Sequence, residues 1–275
     1  MKVKLDLKDA LDAAKQASLE AGKTIMEIYN SGDRGYQTKD DDRKSELTKA
    51  DTSANEVIVK RLSKRYPDIP ILTEEANDPK ERLDSEYVWI VDPMDGTKEF
   101  ISRNGEFTVN IGLVKDGVPV LGALYIPAKN ILYYAIEGQG AYMIENSKET
   151  KIRPSKNSDV NQMVLVKSRS HSGEKEKALI ERCKFKDIIT SGSSLKGCLV
   201  ASGKADLYFR FGPTKEWDIC AMSAIIGEAG AMITDLEGRE IRFNKEDILI
   251  NGFLVSNNTI HEDLIRISKQ IGEDK

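Results

Sequence analysis

Two carboxylates at the end of an apolar run are the residues of this sequence best suited to chemistry. Residues 89–97 read WIVDPMDGT, and the strand-like run 89–91 is expected to end at Asp92. Proline fixes its own φ, and glycine permits a turn that a side chain would block. Such a bend can aim Asp92, Asp95 and the carbonyl of Met94 at one point. A ligand set made only of oxygens suits a hard cation such as Mg²⁺.

The residues after the bend predict a phosphate site beside the cation. Thr97 is expected to begin a helix, because its hydroxyl can cap the first turn. Free backbone N–H groups at a helix start favour a phosphate, so a cation site and a phosphate site side by side indicate phosphoryl transfer. Asp-Pro and Asp-Gly are also common turn formers, and a plain turn is the alternative for this segment alone.

Three other segments carry residues that could join this site. Glu74 and Glu75 follow a short predicted strand over 71–73, where a carboxylate could converge on the same point. Asp218 stands at the start of an apolar helix, either as a ligand or as an ordinary N-cap. Residues 190–197, TSGSSLKG, form a small-residue turn into a helix, which is either an anion cradle or a plain helix cap.

The composition favours a soluble globular protein without a nucleic-acid or membrane surface. The chain has 275 residues, of which 40% are hydrophobic and 31% are charged, and its net charge is −4. So mild a charge balance provides no global field for a polyanion. No apolar run approaches the roughly 20 residues of a membrane span, and the acid-containing first residues do not predict a signal peptide.

Cysteine and histidine usage narrows the chemistry further. The three cysteines lack the spacing of a disulfide framework or a zinc site, so a reducing cytoplasm is the expected compartment. The sequence leaves open the oligomeric state and any association with a membrane surface. Only His171 and His261 occur, so a histidine-centred site is not expected and the chemistry is assigned to carboxylates.

Helical periodicity predicts two helices ahead of the bend. Apolar residues recur at steps of three and four along residues 7–28, which is the pattern of one buried helix face. A second helix is expected from Asp51 until Pro67 ends it. Between them, residues 37–46 are strongly charged without an apolar period, and they are predicted to form a mobile loop.

Three β-rich runs follow the bend and predict antiparallel hairpins. They span residues 106–114, 118–126 and 131–137, and turn signals at Asp116-Gly117 and Pro127 separate them. Helices packed on a meandering sheet are therefore expected for the first half of the chain.

The second half alternates strands and helices, which favours an α/β layer. We therefore predict two domains. The first, over 1–155, is an α+β domain that carries the metal ligands. The second, over 156–275, is an α/β domain, and the active site lies between them.

The quoted residues resemble a known family. The segment WIVDPMDGTKEF is similar to the metal-binding signature of the inositol monophosphatase superfamily, and EWDICAMSAIIGEAGA resembles its second signature, a Trp-Asp followed by a small-residue helix. The segments DGTKEFISRNGEFTVNIGLV, KSRSHS and GSSLKGCLVASGKADLYFRFGPT further resemble bacterial 3′(2′),5′-bisphosphate nucleotidases of the CysQ type. The resemblance covers nearly the whole chain and implies a layered αβαβα sugar-phosphatase fold, with α/β and α+β parts.

The activity implied by this resemblance is a lithium-sensitive, Mg²⁺-dependent hydrolysis. The enzyme would remove the 3′-phosphate of adenosine 3′,5′-bisphosphate (PAP) to give AMP, by in-line attack of a metal-activated water. The sulfated analogue 3′-phosphoadenylyl sulfate (PAPS) is a further candidate substrate. The partner is thus a small phosphorylated nucleotide, and the role would be to clear a by-product of sulfur assimilation.

The resemblance also assigns roles to single residues. The implied ligands are Glu74, Asp92 and the Met94 carbonyl for one Mg²⁺, and Asp92, Asp95 and Asp218 for a second. The implied catalytic residues are Asp51, Glu74 and Thr97, with Asp51 accepting a hydrogen bond from Thr97. The residues implied to bind substrate are Gly96, Thr97, Lys98, Ser193, Ser194, Arg210 and Asp218.

Three positions depart from the family pattern or distinguish its branches. Arg210 lies near the position where inositol monophosphatases have a glutamate that holds sugar hydroxyls; an arginine suits a second phosphate better, and a surface ion pair is the plain alternative. The loop before Asp51, KDDDRKSELT over residues 39–48, is longer than usual and has Glu46 where proline is common, so a third, weaker metal site is left open. Met222 replaces a frequent glycine of CysQ-type chains and could narrow the pocket.

Two other functions remain as alternatives. One is an inositol monophosphatase or sugar bisphosphatase of the same superfamily. The other is a non-catalytic sensor that binds a metal or a nucleotide. The sensor is disfavoured because the chain keeps Thr97, whose proposed role in orienting water a sensor would not need.

Overall fold

A computed structural model describes residues 5–31, 36–38, 46–169 and 173–273, and within them seven helices and sixteen strands. The helices are α1 (Leu7–Ser31), α2 (Lys49–Arg65), α3 (Thr97–Ile101), α4 (Glu174–Cys183), α5 (Leu195–Ala201), α6 (Glu216–Ala229) and α7 (His261–Glu273). The strands of the first half are β1 (Tyr36–Thr38), β2 (Glu46–Thr48), β3 (Ile71–Thr73), β4 (Tyr87–Asp95), β5 (Thr108–Lys115), β6 (Val118–Ile126), β7 (Ile131–Ile136), β8 (Gly140–Glu145) and β9 (Lys148–Lys151). The strands of the second half are β10 (Val164–Ser168), β11 (Asp187–Ser191), β12 (Leu207–Arg210), β13 (Thr214–Lys215), β14 (Met232–Thr234), β15 (Leu249–Ile250) and β16 (Phe253–Ser256).

Two large sheets organise these elements. The first has seven strands in the order β3-β4-β5-β6-β7-β8-β9, antiparallel except for the parallel pair β3–β4. The second has five strands in the order β11-β10-β12-β16-β14, and its first three strands are parallel. The predicted hairpins of the first half and the strand–helix alternation of the second are therefore confirmed.

Three apolar cores separate five layers. In the first core, α1 and α2 pack on one face of the seven-stranded sheet, and Ile25, Ile58 and Ile111 are among its buried residues. In the second, α5 and α6 fill the space between the two sheets. In the third, Leu179 of α4 and Leu264 of α7 cover the outer face of the five-stranded sheet. This layering confirms the predicted αβαβα fold.

The apolar run before Asp92 is explained by strand β4, which is covered on both faces. Trp89 and Val91 point into the first core, whereas Val88 and Ile90 point into the second. A strand that is buried on both faces has a continuous apolar sequence rather than an alternating one. The end of β4 is therefore held in the middle of the molecule.

Helix α6 approaches the seven-stranded sheet closely because two glycines face it. A Cβ atom on Gly112 would lie 2.5 Å from Sγ of Cys220, and one on Gly122 would overlap the carbonyl oxygen of Ala221. Any larger residue at these positions would push the helix away from the sheet. This packing fixes the distance between the sheet and the first turn of α6, which carries Asp218.

The prediction of a loop over 37–46 is wrong at its two ends. Strands β1 and β2 pair antiparallel there, with Tyr36 opposite Thr48 and Thr38 opposite Glu46. Residues 39–45 lie outside the described residues.

The division into domains at residue 155 stays a prediction. The first sheet ends at Lys151 and the second begins at Val164, but α6 of the second half shares its core with strands of both sheets. In the described part of the chain, no helix combines the length and the apolar character needed to cross a membrane.

Candidate active site

The bend after Val91 is a bulge inside strand β4 rather than the end of the strand. β4 runs on to Asp95, and its pairing with β5 shifts register between Asp92 and Asp95. A bulge re-aims side chains without ending the ladder, which is why the expected stop at Asp92 is wrong. The N–H of Met94 donates to Oδ1 of Asp92 at 3.0 Å, so the Asp92 carboxylate folds back over the bulge.

Gly96 turns the chain from β4 into helix α3. Its φ of +97° lies in the left-handed region, which glycine adopts without steric cost. It is the N-cap residue of α3, and a glycine has no side chain to act as a cap. The expectation that the Thr97 hydroxyl caps this helix is therefore wrong, and that hydroxyl makes a different bond.

The Thr97 hydroxyl donates to Oδ1 of Asp51 at 3.2 Å, the bond predicted from the sequence. Asp51 is buried in the first turn of α2. Its Oδ2 accepts the N–H and the hydroxyl of Thr48, each at 2.7 Å. Asp51 therefore stands behind Thr97 as a fixed acceptor and does not itself line the cleft.

Three carboxylates from separate elements meet beside the bulge. Glu74 follows β3, whose parallel pairing places Thr73 beside Val91, so Glu74 emerges next to Asp92. Asp218 lies at the third position of α6. Carboxylate oxygens of Glu74, Asp92 and Asp218 all lie within 4.8 Å of one another, and Asp92 is 1% exposed.

The electrostatics of this acidic cluster fit a bound cation. Burial, followed by the charges of Glu74 and Asp95, raises the pKa of Asp92 well above its usual range. Burial, followed by the charge of Asp218, raises the pKa of Asp95 to about 6 against the opposing effect of its hydrogen bond from Ser194. Like charges held this close destabilise one another. A hard divalent cation among these oxygens would remove that repulsion.

Basic side chains lie in the same cleft as the acidic cluster. Lys196 of α5 is 3% exposed; its Nζ donates to the carbonyl of Ser193 and lies 5.1 Å from the ring centroid of Tyr208. Arg210, at the end of β12, donates from Nη2 to the carbonyl of Pro213 at 2.8 Å. Its Nε is buried and, among the described residues, has no hydrogen-bond partner. The cleft, which Lys98 also lines, thus combines carboxylates with basic side chains.

Nearly all the residues singled out from the sequence line this one cleft. The predicted residues in its wall are Glu74, Asp92, Met94, Asp95, Gly96, Thr97, Lys98, Ser193, Ser194, Arg210 and Asp218. The wall also includes residues for which no role was predicted: Glu99, Ser168, Lys196, Tyr208, Thr214, Ile219 and Phe253. Of these, Lys196 had a usable signal, because it is the one charged residue of TSGSSLKG.

Met222 also lines the cleft, as the departure from the family pattern suggested. It is 1% exposed, and its Sδ would lie 2.6 Å from a Cβ atom built on Gly197. The Met222 side chain therefore fills the space between α5 and α6 at the edge of the cleft.

His261 lies apart from this site. Its ring nitrogens hydrogen-bond with the hydroxyls of Thr234 and Ser256, each at 2.8 Å. Burial lowers the pKa of His261 to about 4, so the ring is neutral near pH 7. His171 lies outside the described residues.

Comparison with known proteins gives consistent matches along the whole chain. Residues 6–273 match the family model described as the inositol monophosphatase family. The Salmonella typhimurium protein called 3′(2′),5′-bisphosphate nucleotidase CysQ is 41% identical over 253 residues, which span 90% of this chain and 99% of that protein.

Solved structures agree with the sequence match. CysQ from Bacteroides thetaiotaomicron, described as a bacterial member of the inositol monophosphatase family, superposes with a TM-score of 0.80 and 39% identity, over 92% of this chain and 98% of that chain. A Thermotoga maritima IMPase superposes with a TM-score of 0.83 and 29% identity, over 97% of this chain and 99% of that chain.

Proposed function

The chain belongs to the inositol monophosphatase family, and from that premise we propose that it is a 3′(2′),5′-bisphosphate nucleotidase. Its substrate is adenosine 3′,5′-bisphosphate, from which it releases the 3′-phosphate to give AMP. The proposal draws on the CysQ relative that is 41% identical over 90% of this chain.

The choice of substrate rests on one observation, which is that acidic and basic side chains line the same cleft. The acidic cluster of Glu74, Asp92 and Asp218 provides a metal site for the phosphate that is cleaved. Lys196 and Arg210 line the same cleft and provide cationic donors for a second phosphate. A substrate with two phosphates would engage both sets of groups, whereas a neutral polyol monophosphate would leave the two cations facing hydroxyls.

The residues that would hold the metal are those of the bulge and the two acids beside it. Glu74, Asp92 and the Met94 carbonyl would hold one Mg²⁺, while Asp92, Asp95 and Asp218 would hold a second; a third ion remains open. When bound, Mg²⁺ would activate water and neutralise the charge that develops on the phosphoryl oxygens.

The protein's own contribution to the reaction begins with Thr97. Its hydroxyl hydrogen is committed to Asp51, so the lone pairs of the Thr97 oxygen are available to accept a hydrogen bond from the attacking water. Asp51 keeps this orientation because its other oxygen is held by Thr48. Glu74 lines the same cleft and would be a further acceptor for the proton of that water, and Lys98, also in the cleft wall, would contact the substrate.

A second candidate is an inositol monophosphatase, because the Thermotoga maritima IMPase shares the fold at a TM-score of 0.83. Arg210 and Lys196 weigh against it, since both cations match an anionic phosphate better than a neutral sugar hydroxyl. A non-catalytic sensor is disfavoured by the Thr97–Asp51 hydrogen bond, which binding alone does not need.

The cellular setting belongs to the same proposal. Cys183, Cys198 and Cys220 are free and buried, as expected for a protein kept in the reducing cytoplasm. The enzyme would clear PAP formed during sulfur assimilation, with PAPS as a further substrate.

The test is phosphate release from PAP, PAPS and inositol 1-phosphate under identical conditions. We expect Mg²⁺-dependent release that is fastest with PAP and that Li⁺ inhibits. A preference for inositol 1-phosphate would overturn the proposed substrate. Absence of release from all three, with Mg²⁺ present, would favour the sensor.

A further inference from the structure

Ser194 makes an unusual double contact with one oxygen of Asp95. Its backbone N–H and its hydroxyl both approach Oδ2 of Asp95, at 2.6 and 2.5 Å. Ser194 is 5% exposed, so these bonds are shielded from water. The family resemblance had implied that Ser194 binds substrate, and the structure shows that its N–H and hydroxyl contact Asp95.

The Ser194 hydroxyl also joins Asp95 to two other segments. It contacts the backbone carbonyl oxygen of Asp218, and Nδ2 of Asn110 donates to it at 3.1 Å. A hydroxyl has one hydrogen to donate and two lone pairs to accept. With Asn110 as its donor, the hydroxyl gives its hydrogen either to Asp95 or to the Asp218 carbonyl. Three segments are thus tied at one buried atom.

Asn110 belongs to the framework rather than to a loop. It lies on β5 directly opposite Asp92 and is 1% exposed. A side chain on a central strand has little freedom to move, because the packed sheet fixes its backbone. Asn110 therefore gives Ser194 a rigid reference point.

These contacts decide which Asp95 oxygen is available to a cation. Both hydrogen bonds from Ser194 go to Oδ2 of Asp95, so a cation would be bound through Oδ1. Mutation of groups that orient a ligand carboxylate in this way typically costs about 10- to 100-fold in metal affinity.

Ser194 is also part of the loop that carries the basic wall of the cleft. Ser193 precedes it with a φ of +46°, and Lys196 follows two residues later, with its Nζ bonded back to the Ser193 carbonyl. A change in this short turn would move Ser193, Ser194 and Lys196 together. The contact with Asp95 therefore connects the loop that carries Lys196 to the carboxylates of the cleft.

We propose that Ser194, supported by Asn110, is a positioning residue that holds Asp95 for metal binding and couples this metal ligand to the substrate loop 192–196. The inference rests on the proposed function, since it presupposes that Asp95 is a ligand. By thermodynamic linkage, a ligand on the loop and a metal at Asp95 raise each other's affinity by the same factor.

The experiment measures Mn²⁺ binding without substrate, by electron paramagnetic resonance of the free ion, in five variants and the wild type. Ser194→Ala should raise the half-saturating Mn²⁺ concentration about 10-fold or more, since loss of such orienting groups typically costs 10- to 100-fold. Asn110→Ala should shift it in the same direction by a smaller factor. Ser202→Ala, the matched control at the far end of α5, loses a hydroxyl that donates to the Cys198 carbonyl and should bind Mn²⁺ and turn over PAP like the wild type.

A double-mutant comparison separates positioning from general damage. If Ser194 acts through Asp95, adding Ser194→Ala to Asp95→Asn should weaken Mn²⁺ binding no further than Asp95→Asn alone. In turnover, Ser194→Ala should regain most of its kcat when Mg²⁺ is raised about 10-fold above the wild-type requirement, a rescue that a misfolded cleft would not show.

The outcomes for this inference and for the proposed function are distinct. A wild type that releases phosphate from PAP, together with a Ser194→Ala variant that binds Mn²⁺ normally, would overturn the positioning role alone. Additive losses in the double mutant would do the same, and so would a Ser194→Ala protein that has lost its fold in EDTA. A wild type without PAP turnover would overturn the proposed function itself.

Discussion

Asp92 shows how a single side chain can be both costly and useful. It is buried at 1% exposure, and its nearest charged neighbours are other acids. Such a residue opposes folding unless something cationic accompanies it. We therefore interpret the buried Asp92 carboxylate as part of a metal site, where the bound cation would offset its unfavourable burial.

Arg210 is the residue that should separate a bisphosphate from a monophosphate. Replacing Arg210 by Ala should lower kcat/KM for PAP about 10- to 100-fold, because a hydrogen bond to a charged group is worth about 1.5–3 kcal/mol. For adenosine 3′-monophosphate, which lacks the second phosphate, the same substitution should lower kcat/KM by less than about threefold. Steady-state phosphate release for both substrates provides the measurement.

The control for Arg210 is an arginine away from the cleft. Arg182 lies on α4 in an outer layer and is bonded to Gln270, so Arg182→Ala should leave both substrates unchanged. Equal losses for PAP and adenosine 3′-monophosphate in Arg210→Ala would mean that Arg210 supports the cleft generally and does not recognise the second phosphate.

Individual site residues could be predicted wherever a local pattern marked them. Asp92 and Asp95 stand out because two acids flank a proline at the end of an apolar run. Ser194 carries no such mark, because its role depends on Asp95 and Asn110, which lie 99 and 84 residues away in the sequence. Contacts of that kind follow from tertiary packing, which a single sequence does not display.

Helix α6 is the element whose placement the site depends on most. Its first turn supplies Asp218, and two glycines of the sheet, Gly112 and Gly122, allow it to approach. The depth of α6 in the molecule thus controls the distance from Asp218 to the proposed metal ligands on β4.

Gly122→Ala should push α6 outward, because the new methyl group would overlap the Ala221 carbonyl. We expect a loss of about 1–3 kcal/mol in the free energy of unfolding, the usual cost of overpacking, together with weaker Mg²⁺ binding. Urea denaturation and metal titration measure the two effects. The control is Gly227→Ala, on α6 itself, where a Cβ atom would meet nothing within 4 Å.

The control should behave in the opposite way. Alanine in a helix interior is favoured over glycine by about 0.5–1 kcal/mol, so Gly227→Ala should stabilise slightly and leave metal binding unchanged. If Gly122→Ala were as stable and as active as the wild type, the close approach of α6 to the sheet would not be needed for stability or activity.

Helices and strands with a regular spacing of apolar residues were predicted well, whereas short strands of polar residues were not. Helices α1 and α2 and strands β5 to β7 follow from apolar spacing. β13 and β15 have two residues each, and β9 has the sequence KETK, which carries no apolar signal at all. Their strand conformation comes from pairing with neighbours, so it could not be predicted from local pattern.

The molecule as a whole should be stabilised by its metal, because the proposed ligands come from β3, β4 and α6. Unfolding would separate these segments and destroy the site. Mg²⁺ at 100 times its Kd should therefore add about 2.7 kcal/mol to the free energy of unfolding.

Asp92→Asn tests this linkage. The pKa of Asp92 is raised above its ordinary value of 3.8, so the folded protein holds a proton there more tightly than the unfolded chain does. The charged form therefore destabilises the metal-free fold, and this penalty appears as the pH rises above that ordinary value. In EDTA at pH 7, Asp92→Asn should be more stable than the wild type; with Mg²⁺ it should gain no stability and show no turnover.

Thermal and urea denaturation, each with EDTA and with Mg²⁺, provide the measurement. The control is Asp263→Asn, at an exposed acid of α7 that pairs with Arg266, which should retain the Mg²⁺ effect. Retained Mg²⁺-dependent turnover in Asp92→Asn would contradict its assignment as a ligand.

Strand β9 has a consequence for how the protein behaves in concentrated solution. It forms one border of the seven-stranded sheet, and all four of its residues, Lys148 to Lys151, are exposed. Charged side chains on a bordering strand discourage another chain from adding to its open backbone groups. Replacing Lys148 and Lys151 with apolar residues that favour strands would remove that protection and promote edge-to-edge aggregation. The proposed active site lies at the opposite side of the same sheet and would not be altered.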